Sequence, residues 1–332
     1  MTDEHTQVAE ATRGLARKVT LAAAFGALIF AGLALYSDVP KMRAAVVGFA
    51  PQAFVAGLAL AAGNYVLRIV RWHYYLLQLN ISIPRRESAL VFLSGFVMSV
   101  TPGKIGEVLK SILLLESRGV PLTRTAPIVV AERLTDLMAL VLLTALGALT
   151  FDHGVLIAGA GAAIVLMLLG FCSYAPLGHA ALRVAERVPL VRRVAGKLWL
   201  AYDALLAMTR PGPLLWATLL SFVAWGMECA SLYFIVHGFS DVHMAWDAAT
   251  FAYAASTIIG ALAMMPGGLG VTEVGMAGLV QALGAGSMTP AVAGATTILV
   301  RVATLWFAVV VGAVAMPLHR AMYIRPAVEE IS

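Results

Sequence analysis

Apolar residues run along this chain in long blocks, and polar residues collect between the blocks or at two breaks inside them. A helix needs about 20 mostly apolar residues to cross a bilayer. Six blocks meet that length as full spans: about Val19–Tyr36, Phe49–Ile69, Thr125–Thr150, Val155–Ala175, Leu214–His237 and Ala291–Met316. The runs are continuous rather than alternating, so the pattern predicts helices and excludes a β-barrel. Two further apolar stretches, about Ala89–Ser117 and Asp247–Gly284, are broken in the middle by "SVTPGKIGEVLK" (99–110) and "AMMPGGLGVTEVG" (263–275).

Loop charge gives an orientation. Arg13, Arg17 and Lys18 precede the first span, which places the N-terminus in the cytoplasm by the positive-inside rule. The longest polar stretch, 176–212, carries six Lys and Arg residues and reads as amphipathic, lying along the cytoplasmic face. "FDHG" and "GFSDVHMAW" lack Lys and Arg and face outward. These assignments agree with one another only if each broken stretch returns to the side from which it came. The reading is therefore two re-entrant helical hairpins, one from each face, with both termini cytoplasmic.

The two breaks align. Pro102, Gly103 and Gly106 match Pro266, Gly267 and Gly270 (266 − 102 = 164), and Arg133 in the following span matches Arg301 (301 − 133 = 168). Three spans separate the hairpins, and an odd number inverts the second unit. Inverted repeats with discontinuous helices belong to transporters, with the substrate site where the repeats meet. The fold class that follows is an all-α polytopic membrane protein with about six full spans plus two re-entrant broken-helix hairpins in an inverted repeat. Its parts are an N-terminal tail (1–18), a transmembrane domain (19–317) and a C-terminal tail (318–332).

Composition agrees. The chain is 61% hydrophobic and 12% charged, with a mean hydropathy of +0.88. A soluble domain is nearer half apolar and a quarter charged. The net charge of +5 lies in the loops rather than in a nucleic-acid motif, so nucleic acid is excluded as a partner. The first apolar run is read as a retained helix rather than a signal peptide. Cys172 and Cys229 lie in predicted helices, form no metal or redox motif, and read as small apolar residues.

The candidate chemistry sits at the breaks. Non-helical backbone at membrane depth must be buried in protein or line a wet cavity. A helix beginning there points unpaired N–H groups into that cavity. Gly103, Gly106, Gly267, Gly268 and Gly270 either allow close backbone approach to a ligand or serve the turn alone, and Lys104 adds a full charge. Glu107, Glu132, Arg133, Asp136, Glu228, Glu273 and Arg301 fall inside apolar segments, where charge is costly and marks a functional site or a structural pair. The repeat pairs Glu107 with Arg133 and Glu273 with Arg301. Glu228 either couples protons or pairs with an arginine. Arg68, Arg71 and Trp72 fall at the end of a predicted span, the place of interface anchors that snorkel, with headgroup phosphates as the alternative contact. The seven histidines show no metal-ligand spacing, and no nucleotide-binding or nucleophile motif occurs, so neither cofactor nor ATP-driven step is expected.

"RIVRWHYYL", "SVTPGKIGEVLKSILLL", "VVAERLTDLMALVLL" and "PGGLGVTE" together resemble the lysylphosphatidylglycerol synthase transmembrane, or flippase-like, family over roughly residues 20–317. The resemblance implies a lipid-translocating membrane domain of a bacterial cytoplasmic membrane, without the soluble aminoacyl-transferase domain of the full synthases. It implies a site at Pro102, Gly103, Gly106, Glu107, Glu132, Arg133, Asp136, Pro266, Gly267, Gly268, Gly270, Glu273 and Arg301. Membrane lipids with an anionic or zwitterionic headgroup are the expected partners. Lys104, Arg133 and Arg301 would hold the phosphate, while Glu107 and Glu273 either hold cationic or hydroxyl groups or keep the arginines ordered. Lipid-biosynthesis enzymes and a second copy of the chain are the protein partners considered. The alternative is a non-transporting subunit or enzyme of a hopanoid, polyprenyl-glycolipid or aminoacyl-lipid pathway.

Overall fold

The computed structural model describes residues 26–32, 39–100, 108–149, 151, 154–187, 195–263, 265–284 and 288–324. Among them the chain is helical, with no strand. Of the predicted first span, residues 26–32 are described, as helix. The succeeding helices are α1 (Val39–Val47), α2 (Pro51–Gln78), α3 (Arg85–Ser94), α4 (Leu109–Arg118), α5 (Leu122–Ala148), α6 (Gly154–Ser173) and α7 (Ala175–Ala185). After these come α8 (Ala195–Met208), α9 (Pro211–Val236), α10 (Trp246–Leu262), α11 (Val271–Leu283), α12 (Pro290–Arg301) and α13 (Phe307–Tyr323). A 3₁₀ turn, Gly95–Met98, extends α3, and another, Pro266–Gly268, joins α10 to α11. A π-helical turn, Val302–Trp306, makes α12 and α13 one continuous rod.

Among the described residues three helices are long and apolar enough to cross a membrane: α2, α9 and the α12–α13 rod of 34 residues. The pair α6–α7, bent by 73° at its junction, would make a fourth. The predicted span Thr125–Thr150 is met by α5, a helix of 27 residues, but Arg124, Glu132, Arg133 and Asp136 lie on it. Its charges take it out of the apolar class although its length is sufficient.

Contacts between helix ends fix the topology. The Ala50 N–H, before α2, donates to Gly238 O, just past α9, at 2.7 Å, so α2 starts where α9 ends. Arg124 at the start of α5 donates to Leu79 O at the end of α2. Gly147 at the end of α5 meets Asp247 and Phe251 at the start of α10. Hence α2 runs antiparallel to α5 and α9.

Both broken stretches fold as hairpins. Glu87 on the first turn of α3 receives Arg118 Nε at 3.0 Å on each oxygen and Ser117 Oγ at 3.1 Å, both from the last turn of α4. The chain therefore leaves the first hairpin beside the point where it begins. A left-handed Gly119 (φ 67°) ends α4, with its N–H on Leu115 O, and turns the chain towards α5. In the second hairpin Gly260 of α10 faces Thr272 of α11, and Ser256 faces Gly275. The first hairpin opens at the end of the bundle shared by the C-terminus of α2 and the N-terminus of α5. The second opens at the opposite end, beside the C-termini of α5 and α9. The second hairpin's turn packs on the incoming limb of the first: a Cβ on Gly267 would lie 3.4 Å from Ser99 O and from Val100 Cα.

The interior holds two apolar clusters. Trp72, Tyr75, Leu76, Leu113, Leu114 and Ile128 build one around the first hairpin. Leu140, Leu143, Leu232, Ile235, Tyr253 and Val300 belong to the other, around the second. Buried polar residues of α2, α5 and α9 lie between them: Arg71, Glu132, Thr135, Asp136 and Ser221.

Close backbone approach requires glycine at Gly147, where a Cβ would stand 2.6 Å from Phe251 N and 2.7 Å from Asp247 O. Small residues let membrane helices approach in this way. Gly147→Val should therefore cost about 1–3 kcal/mol by overpacking, read as a lower thermal midpoint in detergent. An unchanged midpoint would show that α5 and α10 do not meet there.

Candidate functional site

Charge buried at this depth survives only when paired, because desolvation of an unpaired ion is expensive. The polar band obeys that rule through α2, α4 and α5. Arg71, 1% exposed, donates from Nη1 to Asp136 Oδ1 at 2.6 Å and to Thr135 Oγ1 at 3.2 Å. The same nitrogen bonds Ser221 Oγ on α9, whose hydroxyl in turn donates to Ala217 O at 2.8 Å. Arg71 Nη2 stands 3.9 Å from Glu132 Oε1. Lys110 on α4 closes the other side, with Nζ 2.5 Å from Glu132 Oε2. Its ammonium lies 4.6 Å from the Trp72 ring centroid and 4.9 Å from that of Phe92, within cation–π range. Gly95 makes this possible, since a Cβ there would come within 2.8 Å of the Lys110 stem.

Two more guanidinium groups converge on Asp136 Oδ2. Arg68 Nη1 stands 3.6 Å away and Arg133 Nη2 3.7 Å away. Arg68 also lies over the Trp225 ring at 4.6 Å. These side chains line a narrow cleft with about 10 Å³ of enclosed space, room for roughly one water, with Arg68, Arg71, Lys110, Glu132 and Arg133 on its polar wall and Phe92 and Phe96 on its apolar one.

A second network holds the tip of the second hairpin. Arg301 donates from Nε to Glu273 Oε1 at 2.6 Å and from Nη2 to Gly267 O at 2.8 Å. Glu273 Oε2 accepts the Gly270 N–H at 2.6 Å, capping the start of α11. Gly267, Gly268 and Gly270 all have positive φ (61°, 70° and 88°), a conformation open to glycine at little cost. The rod changes to π geometry directly after Arg301, and Tyr65 of α2 donates to the Thr304 carbonyl there at 2.9 Å.

Of the residues singled out in the sequence, Glu132, Arg133 and Asp136 come together at the pocket. Gly267, Gly268, Gly270, Glu273 and Arg301 come together at the second tip, and the Glu273–Arg301 pair has the partners the repeat suggests. Gly103, Lys104, Gly106 and Glu107, with the suggested Glu107–Arg133 pair, lie outside the described residues. Glu228 sits on α9 and accepts the Tyr253 hydroxyl at 2.9 Å.

The snorkelling assignment of Arg68, Arg71 and Trp72 is overturned. Arg68 is 9% exposed, and Trp72 is wholly buried. The predicted span stopped at Ile69, whereas α2 runs to Gln78, so Arg68 and Arg71 lie ten and seven residues before its end (78 − 68 and 78 − 71). Lys110 was passed over although it closes the quoted phrase 99–110. Its signal was a lone cation on the return limb of a hairpin, i.e. a charge needing an interior partner.

Comparison with known proteins agrees with this architecture. Over 96 residues the chain is 31% identical to a UPF0104 membrane protein of Methanothermobacter thermautotrophicus, an alignment covering 29% of this chain and 28% of that protein. The chain thus matches well under two thirds of that relative's length. The family model described as the lysylphosphatidylglycerol synthase TM region matches residues 21–312. That match takes in both hairpins, the charged pocket and the Glu273–Arg301 tip, and the chain belongs to this family of membrane proteins linked to lipid handling.

Proposed function

We propose that the chain is a lipid translocase, moving a membrane lipid between leaflets of a bacterial cytoplasmic membrane. In this reading six segments span the bilayer and the two hairpins are re-entrant. The halves are related by inversion, and both termini are cytoplasmic. The lipid headgroup enters the pocket beside the first hairpin while its acyl chains stay in the hydrocarbon layer. Exchange of roles between the two hairpins then turns the pocket towards the other leaflet. The Arg301–Glu273 link keeps the second tip in shape through that exchange. Movement runs down a gradient or is driven by protons or potential.

One observation carries the reading: two hairpins open at opposite ends of the bundle, and Gly267 of the second packs on Ser99 and Val100 of the first, one turn beyond the Phe96 that lines the charged cleft. A purely structural helix bundle has no need of broken helices meeting at its centre, since irregular backbone at that depth is tolerated where it lines a cavity or is buried in protein. The test is reconstitution into liposomes carrying fluorescent phospholipid, with the outer leaflet quenched by an impermeant reductant. Vesicles with the protein should lose signal well faster than protein-free vesicles, and Arg133→Ala should slow that loss by about tenfold, the worth of one charge-assisted contact. Rates equal to those of empty vesicles would overturn the proposal.

A further inference from the structure

We infer that His319 of α13 is a proton sensor for the first hairpin: once charged, its imidazole takes Glu87 from Arg118 and unfastens α4 from α3. The helix so released carries Lys110 against Glu132 at its inner end. A proton at the hairpin's mouth thereby governs the limb that closes the cleft. The inference concerns the shape of the hairpin and holds whether or not lipid moves through the protein.

Helix packing brings the imidazole to the clasp. Gly312 of α13 lies against the incoming limb, where a Cβ would stand 2.5 Å from Val97 N and 2.9 Å from Leu93 O. His319 is seven residues on from Gly312 (319 − 312 = 7), about two turns of helix. Glu87 is six residues before Leu93 (93 − 87 = 6). Because the two helices run antiparallel, these steps end at one level, and Glu87 is the carboxylate whose charge acts on His319. Tyr323, one turn further on, acts on Arg118 at the end of α4. Its ring lies 5.5 Å from that of His319 at 28° and covers one face. The other charged or titratable groups at this mouth are Arg320 on α13, Arg85 on α3 and His73 on α2. His73 is already engaged, with Nδ1 3.0 Å from Ser88 Oγ.

Burial then makes the charge state of His319 consequential. His319 and Glu87 are each 0% exposed, and neither ring nitrogen of His319 has a hydrogen-bond partner among the described residues. Glu87 has both oxygens in use, on Arg118 and Ser117. A neutral imidazole leaves one donor and one acceptor unmade, whereas an imidazolium presents two donors and a buried charge. Such a charge requires a counter-ion, and Arg320 beside it only raises the need. Glu87 can supply one by turning from Arg118. Arg118 is the partner that gives way, because its side chain is 43% exposed and returns to water at little cost. Nothing then holds the end of α4 at this point: a Cβ at Gly119, which terminates the helix, would meet nothing within 4 Å. Histidine changes charge within the physiological pH range, and no other side chain at the clasp does so without a hydrogen bond to hold it.

The test is the distance between spin labels on the two limbs, in the purified full chain in uncharged detergent. Labels go on Arg86→Cys and Glu116→Cys, both exposed positions, with Cys172→Ser and Cys229→Ala to remove the native thiols. On going from about pH 8 to about pH 5.5, across the histidine range, the separated population should grow at least about threefold. His319→Gln should keep the short distance at both pH values. His73→Gln should respond as the unsubstituted chain does, and Arg118→Ala should show the separated population already at pH 8. Should His319→Gln fail to fold, the pH response with the His73→Gln and Arg118→Ala variants carries the test. A distance indifferent to pH would overturn the inference, as would a response that survives His319→Gln, one abolished by His73→Gln, or an Arg118→Ala variant that stays closed. Distance is read without transport. Acid-driven opening in a protein that scrambles no lipid would therefore remove the translocase and leave the sensor, while scrambling with a pH-indifferent hairpin would do the reverse.

Discussion

Replacing Asp136 with alanine should destabilise the protein by about 3–5 kcal/mol, the cost of leaving a buried ion without its partner. Arg71 is 1% exposed and cannot swing out to solvent, because Trp72 beside it and Leu76 one turn on are wholly buried. Without Asp136 its guanidinium keeps the Thr135 and Ser221 hydroxyls, which are neutral, and Glu132 at 3.9 Å, which is already engaged by Lys110. Arg68 loses its carboxylate at 3.6 Å in the same step. Asp136→Asn keeps the shape and one acceptor and should cost less than alanine. The double change Arg71→Met with Asp136→Leu removes both charges and should recover most of the loss, since apolar replacement of a buried pair is often neutral. Unfolding followed by denaturant or heat in detergent reads the series. A double variant no more stable than Asp136→Ala would show that the network is held by something other than charge.

The same network shows which parts of the molecule were legible in the sequence. Helix class and the Glu273–Arg301 pair follow from local patterns: long apolar runs and a repeated PG phrase followed by an acid and, one helix on, an arginine. The closing of both hairpins was legible for a different reason. Loop charges left no consistent alternative, and the Glu87–Arg118 clasp and the Gly260–Thr272 contact show the chain doubling back in both places. The pocket's cations were harder to find. Arg68 and Arg71 lie past the residue at which α2 ceases to be apolar, and hydropathy ends a span there whether the helix ends or not. Their burial is set by α5 and α9, elements far away in sequence that bring Asp136, Ser221 and Trp225 to them. Lys110 poses the same problem, because what buries it is the absence of a side chain at Gly95 and two rings from other helices. Hydropathy alone leaves α5 out of the apolar class although it is a helix of 27 residues, because the charges that make it part of the site also lower its hydropathy.

Replacing Glu273 with alanine should be the most damaging change at the second tip, with about 3–5 kcal/mol lost for the orphaned arginine and about 1 kcal/mol more for the lost helix cap. One carboxylate does two jobs here. Oε1 holds Arg301 at 2.6 Å, and Oε2 holds the Gly270 N–H at 2.6 Å. Arg301 then carries the restraint onward to the Gly267 carbonyl at 2.8 Å. Three glycines with positive φ have little conformational preference of their own, so this chain of contacts sets the loop's shape. Glu273→Gln can still accept from Gly270 but loses the ionic link, and should fall between wild type and alanine. Arg301→Lys offers one point of contact where the guanidinium uses two, and should not substitute for arginine. Arg301→Met placed on Glu273→Ala removes the orphaned charge and should restore part of the stability without restoring the loop. Hydrogen exchange separates the two effects. The amides of residues 267–274 should lose protection in both the single and the double variant, while α9 regains its protection in the double. If those amides kept their protection in Glu273→Ala, the tip would be shaped by packing against Ser99 and Val100 rather than by the carboxylate, and the first hairpin, not Glu273, would be what holds the second in place.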